Sequence, residues 1–302
     1  MKKIILIFTF LIFIIASCGD DKAKNRAVVA DTLDKKESKA TPGISMDVLS
    51  DIVKSIPSPL EISFLIKDLG VKYDKQLLNS TERISSYNTN FKQALNLGIY
   101  STDLGYANIY GQTQDALLYL NAIKEMAEGL NIGQFFDFNT IKKLATSSGN
   151  LDSLLLVTNT NLERINEHLQ QKNRADLTIL ILTGGWLEAL FLTCEVAKKQ
   201  SSELLNTRIG EQKIILDQLL LLLSFYEERN ANIKELINDL NELQKIYDNV
   251  KISYQYEEAT TEEVNGIIVI KGNTESKVNF SPKDLESIHR VSSSIRKKVV
   301  GG

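Results

Sequence analysis

Asp103, Tyr106 and Tyr110 stand at i, i+3 and i+7, a spacing that puts an acid and two phenols on one face of a helix. Tyr100 lies close by. Trp186 and Glu188 belong to a segment that echoes this one. Gly98-Ile99-Tyr100-Ser101-Thr102-Asp103-Leu104 and Gly184-Gly185-Trp186-Leu187-Glu188-Ala189-Leu190 share a glycine, an aromatic two residues on and a leucine six on, with the acid displaced by one. Aromatic rings beside carboxylates stack on and hydrogen-bond a sugar or another small ligand. Tyr100, Asp103, Tyr106, Tyr110, Trp186 and Glu188 are therefore a candidate ligand patch. Asp103 and Glu188 also suggest a rival: a hydrolase-like acid/base pair, which needs carboxyls roughly 5–9.5 Å apart in an open cleft. A third reading is structural, because tyrosines line helix interfaces and buried acids cap or pair.

Other chemistry finds little support. His168 and His289 are the two histidines. No G-x-S-x-G elbow accompanies them, so a nucleophilic triad has no frame. Glu286-Ser287-Ile288-His289 matches one Glu-x-x-His element of a di-iron bundle, but Ile165 stands three residues before His168, where a second element needs its glutamate. No metal site is expected. Phosphate-cradling and dinucleotide glycine motifs are absent too, so no cofactor is expected. Cys194 sits in an apolar stretch and reads as a small buried hydrophobe.

The elements that must position these residues are helical. The chain has 302 residues, 43% hydrophobic and 24% charged, and four prolines suit long helices better than a turn-rich β fold. The fold class predicted is mainly α: a multi-helix antiparallel bundle over 45–302, with a small β-hairpin or flap near 252–280 and a C-terminal helix over 282–299. A short helix is expected near Ser45–Lys54 and another over Leu60–Leu69. A long helical stretch should run from Ser80 or Thr81 towards Tyr110, interrupted at Gly98 and Gly105. Asp115–Leu130, Phe135–Ala145 and Leu151–Gln171 follow, with Ser147–Asn150 as a loop and Asn173 as the N-cap of the next helix. Leu177–Ala197 is apolar enough to be mistaken for a membrane span, but its Glu188 and Glu195 favour a buried central helix. Ile209–Tyr226 is apolar on nearly every side. Ile233, Leu236, Leu240, Leu243, Tyr247 and Val250 alternate by three and four, the stripe of a helix packed along a neighbour. The period then changes to two at Ile252, Tyr254 and Tyr256, with Lys271–Thr274 as the turn candidate. Ser281-Pro282 opens the last helix, and Arg296, Lys297 and Lys298 suit the negative end of its dipole. The glycine echo suggests two helical halves meeting at glycine-relieved crossings.

The beginning of the chain speaks to location. Lys2-Lys3 precedes an apolar run from Ile4 to Ala16, too short for the roughly 20 residues of a spanning helix. Ile15-Ala16-Ser17-Cys18 then resembles the lipobox of bacterial lipoproteins. The resemblance implies that 1–17 is a signal peptide, that Cys18 is lipidated with several acyl chains, and that membrane attachment through Cys18 is stable. Residues 18–44 are polar and mixed in charge and read as a disordered tether. Asp20-Asp21 resembles the acidic signals that send Bacteroidota lipoproteins to the outer face of the outer membrane, and Asp31-Thr32-Leu33 resembles the short O-glycosylation pattern of that phylum, at Thr32. The mature chain is similar to helical lipoproteins of Bacteroidota through Gly98-Ile99-Tyr100, Asp103-Leu104, Tyr106, Gln112-Thr113-Gln114, Ala127-Glu128, Gly185-Trp186-Leu187-Glu188 and Ile295-Arg296. That resemblance implies an outer-membrane, lipid-anchored body, on the periplasmic face or the cell surface, and supplies no activity. Without Lys2 and Lys3 the balance is 33 basic against 38 acidic residues, about −5. Such a charge argues against nucleic-acid partners, which need a concentrated basic face. The expected role is a non-enzymatic, lipid-anchored envelope protein that binds an envelope protein or a small-molecule or glycan ligand. The alternatives are the hydrolase-like enzyme and a purely structural lipoprotein.

Overall fold

A computed structural model of the chain describes residues 46–56, 66–67, 69–146, 151–200, 202–255, 260–264, 267–271 and 275–301. The leader, Cys18, the tether with Thr32, most of the helix expected over Leu60–Leu69 and the 147–150 loop lie outside these residues. In chain order the elements are α1 Met46–Ser55, short 3-10 turns at Lys75–Leu77 and Thr81–Ser86, α2 Asn90–Ile109, α3 Thr113–Gly129, a third such turn at Gly133–Phe135, α4 Phe138–Thr146, α5 Leu151–Gln171, α6 Ala175–Lys199, α7 Glu203–Ser224, α8 Ala231–Tyr247, strands β1 Lys251–Gln255, β2 Thr260–Val264, β3 Ile267–Lys271 and β4 Glu275–Asn279, and α9 Pro282–Val299. The protein is mainly α, a helical bundle with a small antiparallel β-hairpin before its last helix.

α6 is the centre. Nearly every residue from Ala175 to Ala197 is buried, Glu188 among them. It is long and apolar enough to cross a membrane, yet 94% of its most apolar window is covered inside the bundle. A helix apolar on all sides needs cover on all sides, and α2, α5, α7 and α9 supply it. The closest partner is α2. A Cβ on Gly184 would overlap the Leu95 carbonyl oxygen, and one on Gly98 would overlap the Ile181 carbonyl and crowd the Gly185 nitrogen. Their missing side chains let the two backbones touch. Thr102 Oγ1 bridges the crossing, 3.1 Å from Gly185 O and 3.2 Å from Gly98 O. So the glycines of the echo do not interrupt α2, which runs unbroken through Gly98 and Gly105. They mark where α6 presses against it.

The real interruption comes earlier. The stretch from Ser80 splits into a 3-10 turn and α2, because Ser80 and Thr89 both cap. Ser80 Oγ accepts the Glu82 N–H at 3.3 Å, and Thr89 Oγ1 accepts the Lys92 N–H at 3.2 Å. Phe135–Ala145 is likewise broken: α4 starts at Phe138, with Asp137 accepting the Thr140 N–H at 3.0 Å. Asn173 does not cap α6. Its φ of 55° puts it in the left-handed region as the residue that ends α5, and the Arg174 N–H donates to Leu169 O at 2.7 Å. Asn131, φ 59°, ends α3 the same way. α7 is less enclosed than its composition suggests, since Ile214 and Leu221 are exposed. The α8 stripe from Ile233 to Val250 is buried throughout.

β1 pairs with β4 and β2 with β3, both antiparallel, and Val264 faces Ile267. Two residues, 265 and 266, separate this pair in the sequence; Lys271 closes β3, and the rest of the turn candidate Lys271–Thr274 lies outside the described residues. The ribbon is seated on α7: a Cβ on Gly210 would overlap Val278 Cγ1. α9 begins with a reciprocal cap between Ser281 and Asp284, with Pro282 at its first position.

Candidate functional site

The two candidate carboxylates, Asp103 and Glu188, are both fully buried. Glu188 is clamped by Arg296 of α9, with Nε to Oε2 at 2.5 Å and Nη2 to Oε1 at 2.6 Å. Nη2 also donates to Leu77 O at 3.0 Å, and the guanidinium sits 4.2 Å from the centre of the Phe191 ring. Arg296 thus does not serve the end of its own helix, as its sequence position suggests. It reaches inward as the counter-ion of the core. Lys298 stays outside and pairs with Asp239.

Asp103 Oδ2 accepts the Asn79 N–H at 3.1 Å, while Oδ1 meets no donor among the described residues. Burial, and then the Glu188 charge, hold the Asp103 carboxyl well above the usual carboxylate range, although Arg296 pulls the other way. One guanidinium faces two acids. The charges balance when Asp103 keeps its proton, a form that the neighbouring Glu188 carboxylate favours. Asp103→Asn mimics this protonated form, so it is expected to fold with at least wild-type stability. A raised folded pKa contributes stability below the unfolded value of about 4 and loses it as pH rises towards the folded value. The advantage of Asp103→Asn over wild type should therefore grow with pH above about 4, by at most about 1.4 kcal/mol per pH unit. Urea unfolding of both chains across pH checks this. Glu188, Arg296, Tyr73, Tyr100 and Tyr119 are the ionisable groups acting on Asp103 or acted on by it, and they are common to both chains.

The tyrosines hold a piece of chain. Residues 71–80 have little regular structure, so their backbone groups need partners from elsewhere. Tyr110 donates to Val71 O at 2.7 Å, the Asp74 N–H donates to Tyr106 Oη at 3.3 Å, and Tyr100 donates to Ser80 O at 2.8 Å. With Asp103 on Asn79 and Arg296 on Leu77, the polar face of α2 and its counter-ion are occupied by the protein's own segment. Tyr73 completes the packing, 5.4 Å from the Tyr106 ring and 5.7 Å from that of Tyr110. Burial raises the Tyr100 phenol, so it stays a neutral donor.

Trp186 stands apart. Its Nε1 donates to Gln212 Oε1 of α7 at 2.9 Å. Residues two apart on a helix do not share a face, so Trp186 and Glu188 of α6 cannot join one patch. The structure therefore brings Tyr100, Asp103, Tyr106, Tyr110 and Glu188 to one junction and leaves Trp186 outside it. Arg296, Asn79 and Tyr73 join the junction although none of them belongs to the candidate patch read from the sequence. Their signal is long-range, from segments about 200 residues apart in the case of Arg296 and Leu77, and no local spacing carries it.

Elsewhere, His289 Nε2 lies 2.5 Å from Glu195 Oε1 and 3.3 Å from Ser293 Oγ. Both partners meet the same ring nitrogen. A relay needs one on each nitrogen, so this is a side-chain hydrogen bond with a hydroxyl beside it. His168 packs on Phe135. Among the described residues no three His, Cys, Asp or Glu side chains gather as metal ligands. Cys194 is buried, and burial raises its thiol.

Open space lies next to the glycine crossing instead. A cavity bounded by α2, α5 and α6 holds about 700 Å³ of empty space, its open mouth included, and Gly98 and Gly185 form part of its wall. The described fold and contacts define a helical body whose polar candidate residues are internal ties, with an uncharged cavity beside them. No family model, curated protein or solved structure matches the chain.

Proposed function

We propose that this protein is a lipid-anchored cell-envelope protein that acts by binding a partner or ligand and not by catalysis. The observation that carries the second half is the burial of Asp103 and Glu188. A hydrolytic pair must reach water and substrate in an open cleft, and these two carboxyls are spent on Arg296, Asn79 and each other. The first half rests on the apolar run ending in Ile15-Ala16-Ser17-Cys18. With several acyl chains on Cys18, attachment to the outer membrane is effectively permanent.

Cys18→Ala tests the anchor. The wild-type chain is expected in outer-membrane fractions and to incorporate labelled palmitate. The variant should incorporate none and appear soluble or with its leader uncleaved. A variant that stays in the membrane fraction unchanged would sink the proposal.

A further inference from the structure

We infer that the cavity beside the α2–α6 crossing is a binding site for a neutral aliphatic chain bearing an uncharged carbonyl, that is, an acyl ester or amide. It deepens the binding role proposed above and makes no use of the anchor.

Two hollows lie side by side. The larger is bounded by α2, α5 and α6; the smaller, about 380 Å³ with its mouth, lies among α2, α3, α4 and α5. Ser101, Phe136 and Thr158 line both, so the two hollows adjoin at Phe136, and we take them together as one elongated cleft with that ring at its waist. Its walls are mostly branched aliphatic: Leu97, Leu162 and Ile181 on one side of the waist, Leu104, Leu120 and Ile141 on the other. Among the described lining residues none carries a charge. A carboxylate or ammonium group inside would be desolvated with no counter-ion, which is costly. That selects a neutral ligand, and the elongated aliphatic wall selects a chain.

Asn161 supplies the second observation. It lines the smaller hollow, is 5% exposed, and its Nδ2 has no hydrogen-bond partner among the described residues. A buried amide donor left unpaired costs free energy that a ligand oxygen would restore. A carbonyl oxygen offers the acceptor without adding charge. At the other end of the cleft Gly98 and Gly185 lie among Leu97, Leu162, Ile165, Ile181 and Leu182, an apolar wall for the hydrocarbon tail. The Ser101 and Thr102 hydroxyls are already given to helix carbonyls, Leu97 O for the first and Gly98 O and Gly185 O for the second. Thr158 and Asn159 also line the cleft but are within reach of water, which leaves Asn161 as the buried group that fixes the head of the chain.

The test uses the purified whole chain, a photoreactive monolaurin and, as competitors, unlabelled monolaurin and laurate below their micelle concentrations. Cross-links should map to the residues around Phe136 and Thr158, and monolaurin should compete at least tenfold better than laurate. Asn161→Leu keeps the size and removes the donor. It should weaken monolaurin about two- to tenfold, the worth of one hydrogen bond, with the urea midpoint unchanged or raised. Ser101→Leu, which intrudes on the waist, should abolish the cross-links. Cross-links scattered over the surface and indifferent to both variants would overturn the inference, as would laurate competing as well as its neutral ester. If Ser101→Leu does not fold, Asn161→Leu alone decides. Membrane fractionation of Cys18→Ala reads the anchor and these cross-links read the cleft, so either idea can fail without the other.

Discussion

Glu188→Gln is expected to cost about 3–5 kcal/mol of folding stability, the loss that follows when one member of a buried ion pair is removed and the other is left unpaired. Arg296 would then keep Leu77 O and the Phe191 ring but lose both short contacts to its counter-ion. Glutamine can accept one hydrogen bond from the guanidinium but cannot cancel its charge; Asp103, freed of the Glu188 charge, can ionise nearby without hydrogen-bonding the guanidinium, which puts the loss at the lower end of that range. Arg296→Gln should cost a similar amount. The double substitution should cost little more than either single one, because a pair removed together leaves no orphaned charge. Urea titrations with a common slope read all three. If the single losses simply add, the pair is not coupled, and its burial does not have the role assigned to it.

Gly184→Ala should be as damaging by a different route. The added methyl would overlap the Leu95 carbonyl oxygen. Overpacking a core costs roughly 1–3 kcal/mol where flexible side chains yield, and more where they cannot. Here the obstacle is helix backbone, so α2 and α6 must move apart along the most extensive contact in the bundle. A loss of about 3 kcal/mol or more is expected, with Gly98→Ala behaving alike. Gly129→Ala is the control. Its Cβ meets only the end of the Gln93 side chain, which can swing away, and alanine is the better helix former. Thermal or urea midpoints should fall steeply for Gly184→Ala and hardly move for Gly129→Ala. Equal effects would mean that the crossing is looser than described.

What could be read from the sequence was local and periodic. The α8 stripe steps by three and four, and every member is buried. Ser281-Pro282 announces α9, and the reciprocal cap with Asp284 forms. The glycine echo marks the residues where α2 and α6 touch, because a backbone-to-backbone approach leaves a trace in residue type. Other features failed for physical reasons. Trp186 and Glu188 look adjacent in sequence, but 3.6 residues per turn sends them to different neighbours. Arg296 matches a helix-end cation until the chain folds over about a hundred residues to bring it to Glu188. Asn173 has the composition of a cap and the dihedral of a helix stop, two uses of the same small polar side chain. Most of all, Tyr100, Asp103, Tyr106 and Tyr110 have the chemistry of a ligand patch and do bind something: residues 71–80. Residue type alone does not distinguish a ligand from a stretch of the same chain, since both present carbonyls and N–H groups to the same side chains.

Hydrogen exchange at the Asn79 amide tests this central point. The amide lies outside any regular helix or sheet ladder, and its partner is Asp103 Oδ2. If the junction holds segment 71–80 to the bundle, this N–H exchanges slowly in the wild-type chain, at a rate comparable with core amides of α2. In Asp103→Ala it should speed up sharply while the amides of α8 stay protected, a local release and not a general loss of stability. An Asn79 amide that exchanges in the wild type as fast as an unbonded, exposed one would contradict the account.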